Sequence, residues 1–395
     1  MNYTEAYEVC CRKAGLHFEK MNGKLFEPPE SKSGDYYETY PNTDFATDRW
    51  VWLSSMITGM ASLLYDTNSD KRALKWANRF KREYHDKVFV PFTQTMHDLG
   101  FLYIPYSVHL YQLTGDTEHR DTALRAADEL AKRFNVRGRF IEAWASMDDS
   151  ERPCRMIVDC AMNTALLYWA WKETGHCFYR DVADAHMETT INVLVREDWS
   201  VAHAWYFDIK TGEPEKEGNA CGYANGTHWA RGTAWLVYGL TTAYSYTQNE
   251  YYLDVAEKVG KKYLDSLSDS PVPVWDFRLP EDMPAKLSGK PTDIPEWDES
   301  KPENRIYNID TSAAAIMSCA FTLFNKFRQN SEFLTHTDQC LECLIAEYMD
   351  TDTTKTGMLR RSNGRDVYSI YGDYYFMLVL AMRVHGIVAP WGKNE

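Results

Sequence analysis

Two kinds of hydrophobic segment alternate along the chain. In the first kind, apolar residues recur every three or four positions and charged residues fill the other face, as in "HRDTALRAADELAKRF". This spacing is typical of an amphipathic helix with one side in water. In the second kind, nearly every position is apolar or aromatic, which predicts helices buried on all sides. The buried segments cover residues 45–65, 97–114, 158–174, 230–247, 310–328 and 369–386.

The order of these segments predicts a closed fold. With an opening amphipathic stretch over residues 4–20, the pattern gives six outer and six inner helices. We therefore predict an all-α fold, an (α/α)6 barrel, in a single domain spanning residues 1–395. An open solenoid of hairpins is the alternative, but it would normally end in polar capping repeats. The last inner segment, "SIYGDYYFMLVLAMRVHG", is as apolar as the central ones, which favours closure.

Two long stretches, residues 197–229 and 278–309, interrupt the alternation and are predicted to be irregular. The second is rich in Pro, Asp and Lys and is expected to form a surface loop. Loops of this length in a compact protein are commonly functional or mobile.

Composition limits the compartment and the partners. Acidic residues exceed basic ones by 14 and no long basic run occurs, which argues against binding to nucleic acid. No apolar run reaches the roughly 18 to 20 residues of a membrane span, and "MNYTEAYEVCCRKAG" lacks the apolar core of a signal peptide. Nine scattered cysteines are typical of reduced thiols in the cytoplasm, and no ligand spacing indicates a metal site. The oligomeric state is left open.

Every inner segment carries a polar side chain at or near its start. All inner helices of an alternating barrel run in the same direction, so these side chains should gather at one mouth. A carboxylate at a helix start commonly accepts backbone N–H bonds, and we expect this role for Asp48, Asp310 and Asp373. Asp98 and Asp159 differ because apolar residues flank them, so burial costs free energy unless they are paired. Two acids that share such a mouth would differ in pKa, one keeping its proton.

Aromatic residues and cations are predicted at the same mouth. The aromatic candidates are Trp52, Trp144, Trp229 and Trp235. Aromatic faces stack on sugar rings while acids bond the sugar hydroxyls, so this combination indicates a carbohydrate site. His203 and Arg231 are the cations best placed to meet a carboxylate on the ligand. A structural role is the alternative for each of these side chains.

Five blocks in the sequence are similar to those of a known family. In order they are "HDLGF", "IVDCAMN", "WARGTAW", "VWDF" with "DTSAAAI", and "YGDYYF". From about residue 45 to 386 the chain resembles the unsaturated glucuronyl hydrolases of glycoside hydrolase family 88. The resemblance implies an (α/α)6 barrel that removes a 4,5-unsaturated uronic acid from the non-reducing end of lyase-generated oligosaccharides. Such enzymes need no cofactor: they hydrate the double bond, and the resulting hemiketal opens and expels the rest of the sugar chain.

The resemblance also implies roles for individual residues. Asp159 matches the family's general acid and base, and Asp98 matches its second essential carboxylate. The positions similar to substrate-binding residues are Trp52, Trp144, His203, Trp229, Arg231 and Trp235, and His97 beside Asp98 is expected to join them. In "NACGYANGTHW", Ala220 and Cys221 stand where the family usually carries His and Gln. We expect Cys221 to border the site.

Other departures from the family concern the substrate. The start of the first inner helix, "RWVWLSSMITG", lacks the usual Gly-Phe-Trp, and "RRSNGRDVYS" lacks the Ser/Lys pattern associated with sulfated substrates. Three alternatives stay open: an unsaturated rhamnogalacturonyl hydrolase, an inverting glycosidase with carboxyl groups about 6.5 to 9.5 Å apart, and a non-catalytic sugar-binding barrel. The presence of both acids favours the glucuronyl hydrolase.

Overall fold

The computed structural model describes residues 1–21, 23–28, 30–38, 44–90, 95–278, 309–388 and 390–392. The outer helices are α1 (Tyr3–Lys20), α3 (Lys71–Ala77) continued through a 3-10 turn (Asn78–Phe80) by α4 (Lys81–Phe89), α7 (Thr117–Ala131), α9 (Cys177–Leu194), α11 (Glu250–Asp265) and α13 (Ser331–Cys343). The inner helices are α2 (Ser54–Asn68), α5 (Leu99–Tyr103) joined by a π-turn (Ile104–Val108) to α6 (His109–Thr114), α8 (Cys160–Thr174), α10 (Ala230–Thr247), α12 (Thr311–Phe327) and α14 (Ile370–His385).

The inner helices form a closed ring. Helix α2 packs against α14, and contacts continue in order through α12, α10, α8 and α5 back to α2. The outer helix α1 packs against α14 and joins the first helix to the last. The predicted (α/α)6 barrel is therefore confirmed, and the open solenoid is excluded. Among the described residues, no helix has both the length and the apolar composition that a membrane crossing requires.

Short turns connect each inner helix to the next outer helix along the chain. Gly115 ends α6 with a φ of 71°, a left-handed conformation that costs glycine little, and the Asp116 carboxylate then caps α7. Gln248 and Asn249 repeat this arrangement between α10 and α11. Because these turns are only a few residues long, they all lie at one end of the barrel. The longer connections lie at the other end, which forms the mouth.

The mouth contains short strands that the sequence pattern did not predict. Strands β3 (Arg155–Ile157), β4 (Ala204–Phe207) and β5 (Pro214–Gly218) form an antiparallel sheet in that order, and β1 (Phe134–Asn135) pairs with β2 (Phe140–Ile141). The prediction that residues 197–229 are irregular is therefore wrong for β4 and β5. Strand β5 is polar at nearly every position and exposed, so it lacks the apolar alternation that signals a strand. The predicted surface loop over residues 278–309 lies, apart from its two end residues, outside the described residues.

The first inner helix begins at Ser54, nine residues later than predicted. The Glu27 carboxylate accepts the backbone N–H groups of Trp52, Leu53 and Ser54 at 3.0 to 3.2 Å and so caps α2 from a distant part of the chain. Asp48 accepts the Trp50 N–H instead and does not cap the helix, contrary to our expectation. A cap supplied from so far away in sequence is invisible to a local pattern.

Candidate active site

Two inner helices that nearly touch bring Asp98 and Asp159 together. Asp98 directly precedes α5 and Asp159 directly precedes α8, and neither carboxylate caps its own helix. A Cβ atom added to Gly100 would lie 2.4 Å from the Asn163 Cα, so only glycine permits this approach of α5 to α8. The close crossing therefore holds the starts of both helices side by side.

Asn163 links the two acids. This fully buried amide donates from Nδ2 to Asp98 Oδ1 at 3.1 Å and to the Asp159 backbone carbonyl at 3.3 Å, and its Oδ1 accepts the Phe101 N–H at 3.0 Å. These partners fix the orientation of the amide. Our sequence analysis missed Asn163 although it ends the block "IVDCAMN". Its position one helical turn after Asp159 was the available signal.

Burial gives the two carboxyl groups unusual proton affinities. Burial, followed by the negative charge of Asp159, raises the pKa of Asp98 well above its usual range, although the bond from Asn163 opposes this. Burial also raises the pKa of Asp159 to about 6, against the positive charge of Arg231. Burial therefore favours the protonated form of both carboxyl groups, and Asp159 lies close to its titration point near neutral pH. A group that must both give and take a proton is most effective with such a pKa.

His97 lies beside Asp98. Its Nδ1 accepts the Trp144 N–H at 3.2 Å, so a neutral ring carries its proton on Nε2, which lies 3.2 Å from Asp98 Oδ1. Burial lowers the pKa of His97 well below its usual range, which keeps the ring neutral. His97 thus faces one acid of the pair in a fixed tautomer.

His203 repeats this arrangement at Asp159. Its Nδ1 accepts the Ala220 N–H at 2.9 Å, and its Nε2 lies 3.7 Å from Asp159 Oδ2. Burial, with the charges of nearby arginines, lowers the pKa of His203 to about 3. This shift favours a neutral His203 ring with its proton on Nε2. The expectation that His203 meets a substrate carboxylate as a cation stays a prediction.

A buried arginine fixes the loops that carry these groups. Arg133 donates to the backbone carbonyls of Thr95, Glu142 and Ala145 at 2.7 to 3.0 Å. The first carbonyl lies just before His97 and the other two flank Trp144. Trp144 has a φ of 62°, a left-handed conformation that costs a bulky residue about 1–3 kcal/mol. The Arg133 bonds help to hold this turn, and sequence analysis gave no sign of them.

Arg231 is a buried cation between two aromatic rings. Its guanidinium carbon lies 4.6 Å from the Trp229 ring centroid and 4.8 Å from that of Tyr371. Its Nη1 lies 3.3 Å from Asp310 Oδ2 and donates to Asn363 Oδ1 at 3.1 Å. Although burial disfavours the cation, the neighbouring Tyr371 and Asp310 raise the pKa of Arg231 overall. Arg231 is therefore a permanently charged cation whose charge acts on Asp159.

The predicted aromatic residues occupy different depths. The Trp144 ring lies 5.9 Å from the His97 ring and 6.0 Å from the His203 ring, so it is close to both histidines. Trp52 is partly exposed and contacts the Phe101 ring at 5.5 Å. Trp235 is fully buried and packs on Phe101, so its substrate contact stays a prediction.

Cys221 lies beside Arg231. The thiol is close enough to Arg231 to contribute to its raised pKa, and the Cys221 carbonyl accepts the Trp275 Nε1–H at 3.0 Å. Trp229, which stacks on the same guanidinium, also meets the His203 ring edge-on at 4.9 Å. These contacts connect the Arg231 side of the mouth to the Asp159 side. The substrate-binding role of Cys221 stays a prediction.

A closed double ring of helices with paired acids and aromatic side chains at one mouth defines a helical-barrel glycoside hydrolase. A family model described as Glycosyl Hydrolase Family 88 matches residues 31–277. The chain belongs to this family, and the resemblance seen in the sequence is confirmed.

Individual relatives agree with this assignment. The unsaturated chondroitin disaccharide hydrolase of Streptococcus pneumoniae strain R6 is 30% identical over 355 residues, which covers 87% of this chain and 84% of that protein. The crystal structure of the unsaturated glucuronyl hydrolase of Bacillus sp. GL1, described as responsible for glycosaminoglycan degradation, has a TM-score of 0.85 at 26% identity and covers 100% of both chains. A further solved structure, a complex with dGlcA-Glc-Rha-Glc, has the same score, identity and coverage.

Proposed function

We propose that this protein releases a 4,5-unsaturated uronic acid from the non-reducing end of lyase-generated oligosaccharides by adding water across the C4=C5 double bond. One observation carries the proposal: two buried carboxyl groups, Asp98 and Asp159, lie at the adjacent starts of α5 and α8, and burial raises the pKa of both. Asn163 bonds to both residues. The ligand of the related complex, dGlcA-Glc-Rha-Glc, supports a substrate of this kind.

Asp159 is the proposed acid and base. In its protonated form it transfers a proton to C4, and positive charge develops at C5 and the ring oxygen. The resulting carboxylate then takes a proton from the water whose oxygen bonds to C5, so Asp159 returns to its starting state. The product is a hemiketal, which opens to a ketone at C5 and expels the remaining sugar from C1. A pKa of about 6 allows both transfers near neutral pH.

Asp98 and the two histidines orient the reaction in this proposal. A protonated Asp98 donates a hydrogen bond to a hydroxyl of the uronate ring while its other oxygen accepts from Asn163. His203 Nε2, 3.7 Å from Asp159 Oδ2, is placed to bond a substrate oxygen or the attacking water beside that carboxylate. His97 Nε2, 3.2 Å from Asp98 Oδ1, is placed to bond a substrate oxygen beside that carboxyl. The rings of Trp52, Trp144 and Trp229 provide apolar faces for the sugar.

The negatively charged group of the substrate needs a local cation. The chain carries a net charge of -14, so its long-range field repels an anionic sugar. Arg231 is the cation whose charge acts on Asp159, and it is held rigidly between Trp229 and Tyr371. We assign the C5 carboxylate of the unsaturated uronate to Arg231.

The test is a panel of unsaturated disaccharides from glycosaminoglycan, alginate, ulvan and pectin lyases, followed by the ultraviolet absorbance of the 4,5 double bond. We expect loss of absorbance with the wild-type protein and not with Asp159→Asn. Asp48→Asn is the matched control, because Asp48 lies in a mouth loop and, among the described contacts, its carboxylate accepts only the Trp50 N–H. Absorbance that persists across the whole panel would contradict the proposal.

The same panel separates the alternatives. Turnover confined to pectin-derived disaccharides would favour the rhamnogalacturonyl hydrolase. Cleavage of saturated glycosides alone would favour the inverting glycosidase. Binding without turnover, unchanged in Asp159→Asn, would favour the sugar-binding barrel.

Two broader parts of the proposal concern organisation. We propose that residues 1–395 form one domain, because the contacts of α2 and α1 with α14 join the two ends of the described helices. We also propose that the protein acts in the cytoplasm, since the thiols of Cys10, Cys160 and Cys319 are buried and none of the cysteines is in a disulfide. A single cooperative thermal transition would support the first, and activity retained in strong reductant would support the second.

A further inference from the structure

Arg155 lies on a strand that leads into the active site. Strand β3 ends two residues before Asp159, and β4 begins directly after His203. Within this ladder Arg155 is opposite Tyr206, four residues before Asp159. Extended chain rises about 3.3 Å per residue and the last two residues form a turn, so the backbones of Arg155 and Asp159 are at most about 13 Å apart. Among the described contacts Arg155 makes no ion pair or hydrogen bond with Asp98 or Asp159, so it lies beside the reacting pair and not within it.

The guanidinium of Arg155 is held by aromatic rings. Its central carbon lies 4.4 Å from the Trp144 ring centroid and 5.8 Å from that of Tyr206, and its Nη1 donates to the Tyr206 hydroxyl at 3.2 Å. The Arg155 carbonyl accepts the Ala143 N–H at 2.8 Å, which fixes the Trp144 turn beside it. The Trp144 ring on which Arg155 stacks lies 5.9 Å from the His97 ring and 6.0 Å from the His203 ring, so the guanidinium is held close to both histidines.

Arg155 lacks the acidic partner that two other arginines near the mouth, Arg231 and Arg152, possess. Arg231 pairs with Asp310, and Arg152 donates two hydrogen bonds to the Glu142 carboxylate. Over the part of the chain that the structure describes, no carboxylate lies within 4.0 Å of the Arg155 guanidinium, and its buried Nε has no hydrogen-bond acceptor. A partly buried cation without a counter-charge is costly. An anion supplied by the ligand would remove that cost.

We propose that Arg155, with Tyr206 and Trp144, forms a subsite for an oxyanion on the leaving sugar, either a sulfate ester or a carboxylate. This inference rests on the proposed function. The leaving sugar is favoured over the uronate because Arg231, not Arg155, is the arginine whose charge acts on Asp159. A guanidinium stacked on an aromatic ring keeps its N–H edge free, and that edge matches two oxygens of a sulfate or carboxylate.

The test uses pairs of unsaturated disaccharides that differ only in one anionic group on the leaving sugar. One pair differs by a sulfate and the other by a carboxylate, so the two sources are measured separately. We expect a lower KM for the anionic member of at least one pair with the wild-type protein. In Arg155→Gln that KM should rise about tenfold, with kcat within about twofold and no change for the neutral member.

Lys216→Gln is the matched control, because Lys216 also lies over the Tyr206 ring, at 5.6 Å, but on the exposed strand β5. It should leave the KM ratio of each pair unchanged. Equal effects of Arg155→Gln on both members, or no preference for an anionic member in the wild type, would overturn the inference. If the wild type hydrates no disaccharide, the proposed function fails. The subsite is then judged by the same comparison of affinities, measured by quenching of tryptophan fluorescence.

Discussion

Four aspartates at the starts of inner helices face the same mouth, and they fall into two pairs with different surroundings. In the first pair, the carboxylate oxygens accept hydrogen bonds from protein groups. Asp310 accepts the N–H groups of Ser312, Ala313 and Asn363 and pairs with Arg231. Asp373 accepts the Leu359 N–H and the Tyr36 hydroxyl, each at 2.8 Å.

The second pair, Asp98 and Asp159, keeps oxygens available. Neither caps its helix, and Asp159 Oδ2 has no hydrogen-bond donor among the described residues. A raised pKa does not make this distinction, because burial raises the pKa of Asp373 to about 7 as well. All four aspartates lie at the start of an inner helix, so that position does not identify a catalytic acid. The comparison teaches that a catalytic acid is identified by a carboxylate oxygen that has no hydrogen-bond donor from the protein.

The largest expected effect separates the pairs by activity. Asp159→Asn keeps the size of the side chain but cannot give or take the proton, so kcat/KM should fall about 10³-fold. Asp310→Asn leaves the proposed acid in place and should retain turnover. Initial rates from loss of the double-bond absorbance measure both. An Asp159→Asn protein within tenfold of wild type would show that the pairs are not functionally distinct.

The next effect separates the pairs by stability. Asp310→Ala removes the cap of α12 and leaves Arg231 buried without its acidic partner, which should lower the free energy of unfolding by about 3–5 kcal/mol. Denaturant unfolding followed by circular dichroism measures this change. Asp48→Ala, in an exposed turn, provides the control and should change the free energy far less. A loss below about 1 kcal/mol for Asp310→Ala would contradict the structural role.

A smaller effect concerns the link between the catalytic acids. Asn163→Ala removes the bond to Asp98 and the tether to the Asp159 carbonyl, so kcat should fall about tenfold with little change in KM. Thr164→Ala is the control one position along the same helix, because its hydroxyl bonds only Ala161 and Met187 in α8 and α9. Equal losses of kcat in the two variants would show that Asn163 contributes to packing and does not position the acids.

The smallest effect is on the pH dependence of stability. The pKa of Asp159 is raised by folding to about 6 from an unfolded value near 3.9, so its ionisation opposes folding as the pH rises through about 6. Asp159→Asn removes that penalty. The variant should melt a few degrees above wild type at pH 8 and show a smaller difference at pH 4.5. A difference that is independent of pH would contradict the raised pKa.

Much of the barrel follows from local sequence. The predicted starts of the inner segments at residues 158, 230, 310 and 369 lie within two residues of α8, α10, α12 and α14. These helices are long and largely apolar, and three of the four, α8, α12 and α14, begin directly after a polar residue, so pattern and length are sufficient to place them. Helix α2 was misplaced because its cap comes from Glu27, and no local pattern reports a distant carboxylate.

The residue types of the candidate site were predictable from the sequence, but the protonation states and the contacts of these residues were less so. Asp98, Asp159, Trp144 and His203 meet as expected, because each lies at or near the start of an inner helix or in the loop before one. The neutral state of His203 depends on burial and on nearby arginines, which only the folded arrangement supplies. Asn163, Arg133 and Arg155 act through contacts across helices and loops, and sequence spacing alone does not reveal such contacts.

Reaction in D2O, followed by proton NMR at early times, tests most directly whether Asp159 delivers a proton to C4. We predict that the wild-type protein places deuterium on one face of C4 as the disaccharide is consumed, and that Asp310→Asn does the same more slowly or at the same rate. Asp159→Asn should leave the vinyl C4–H signal intact. A released uronic acid that still carries this vinyl proton and no deuterium would contradict hydration and with it the assigned role of Asp159.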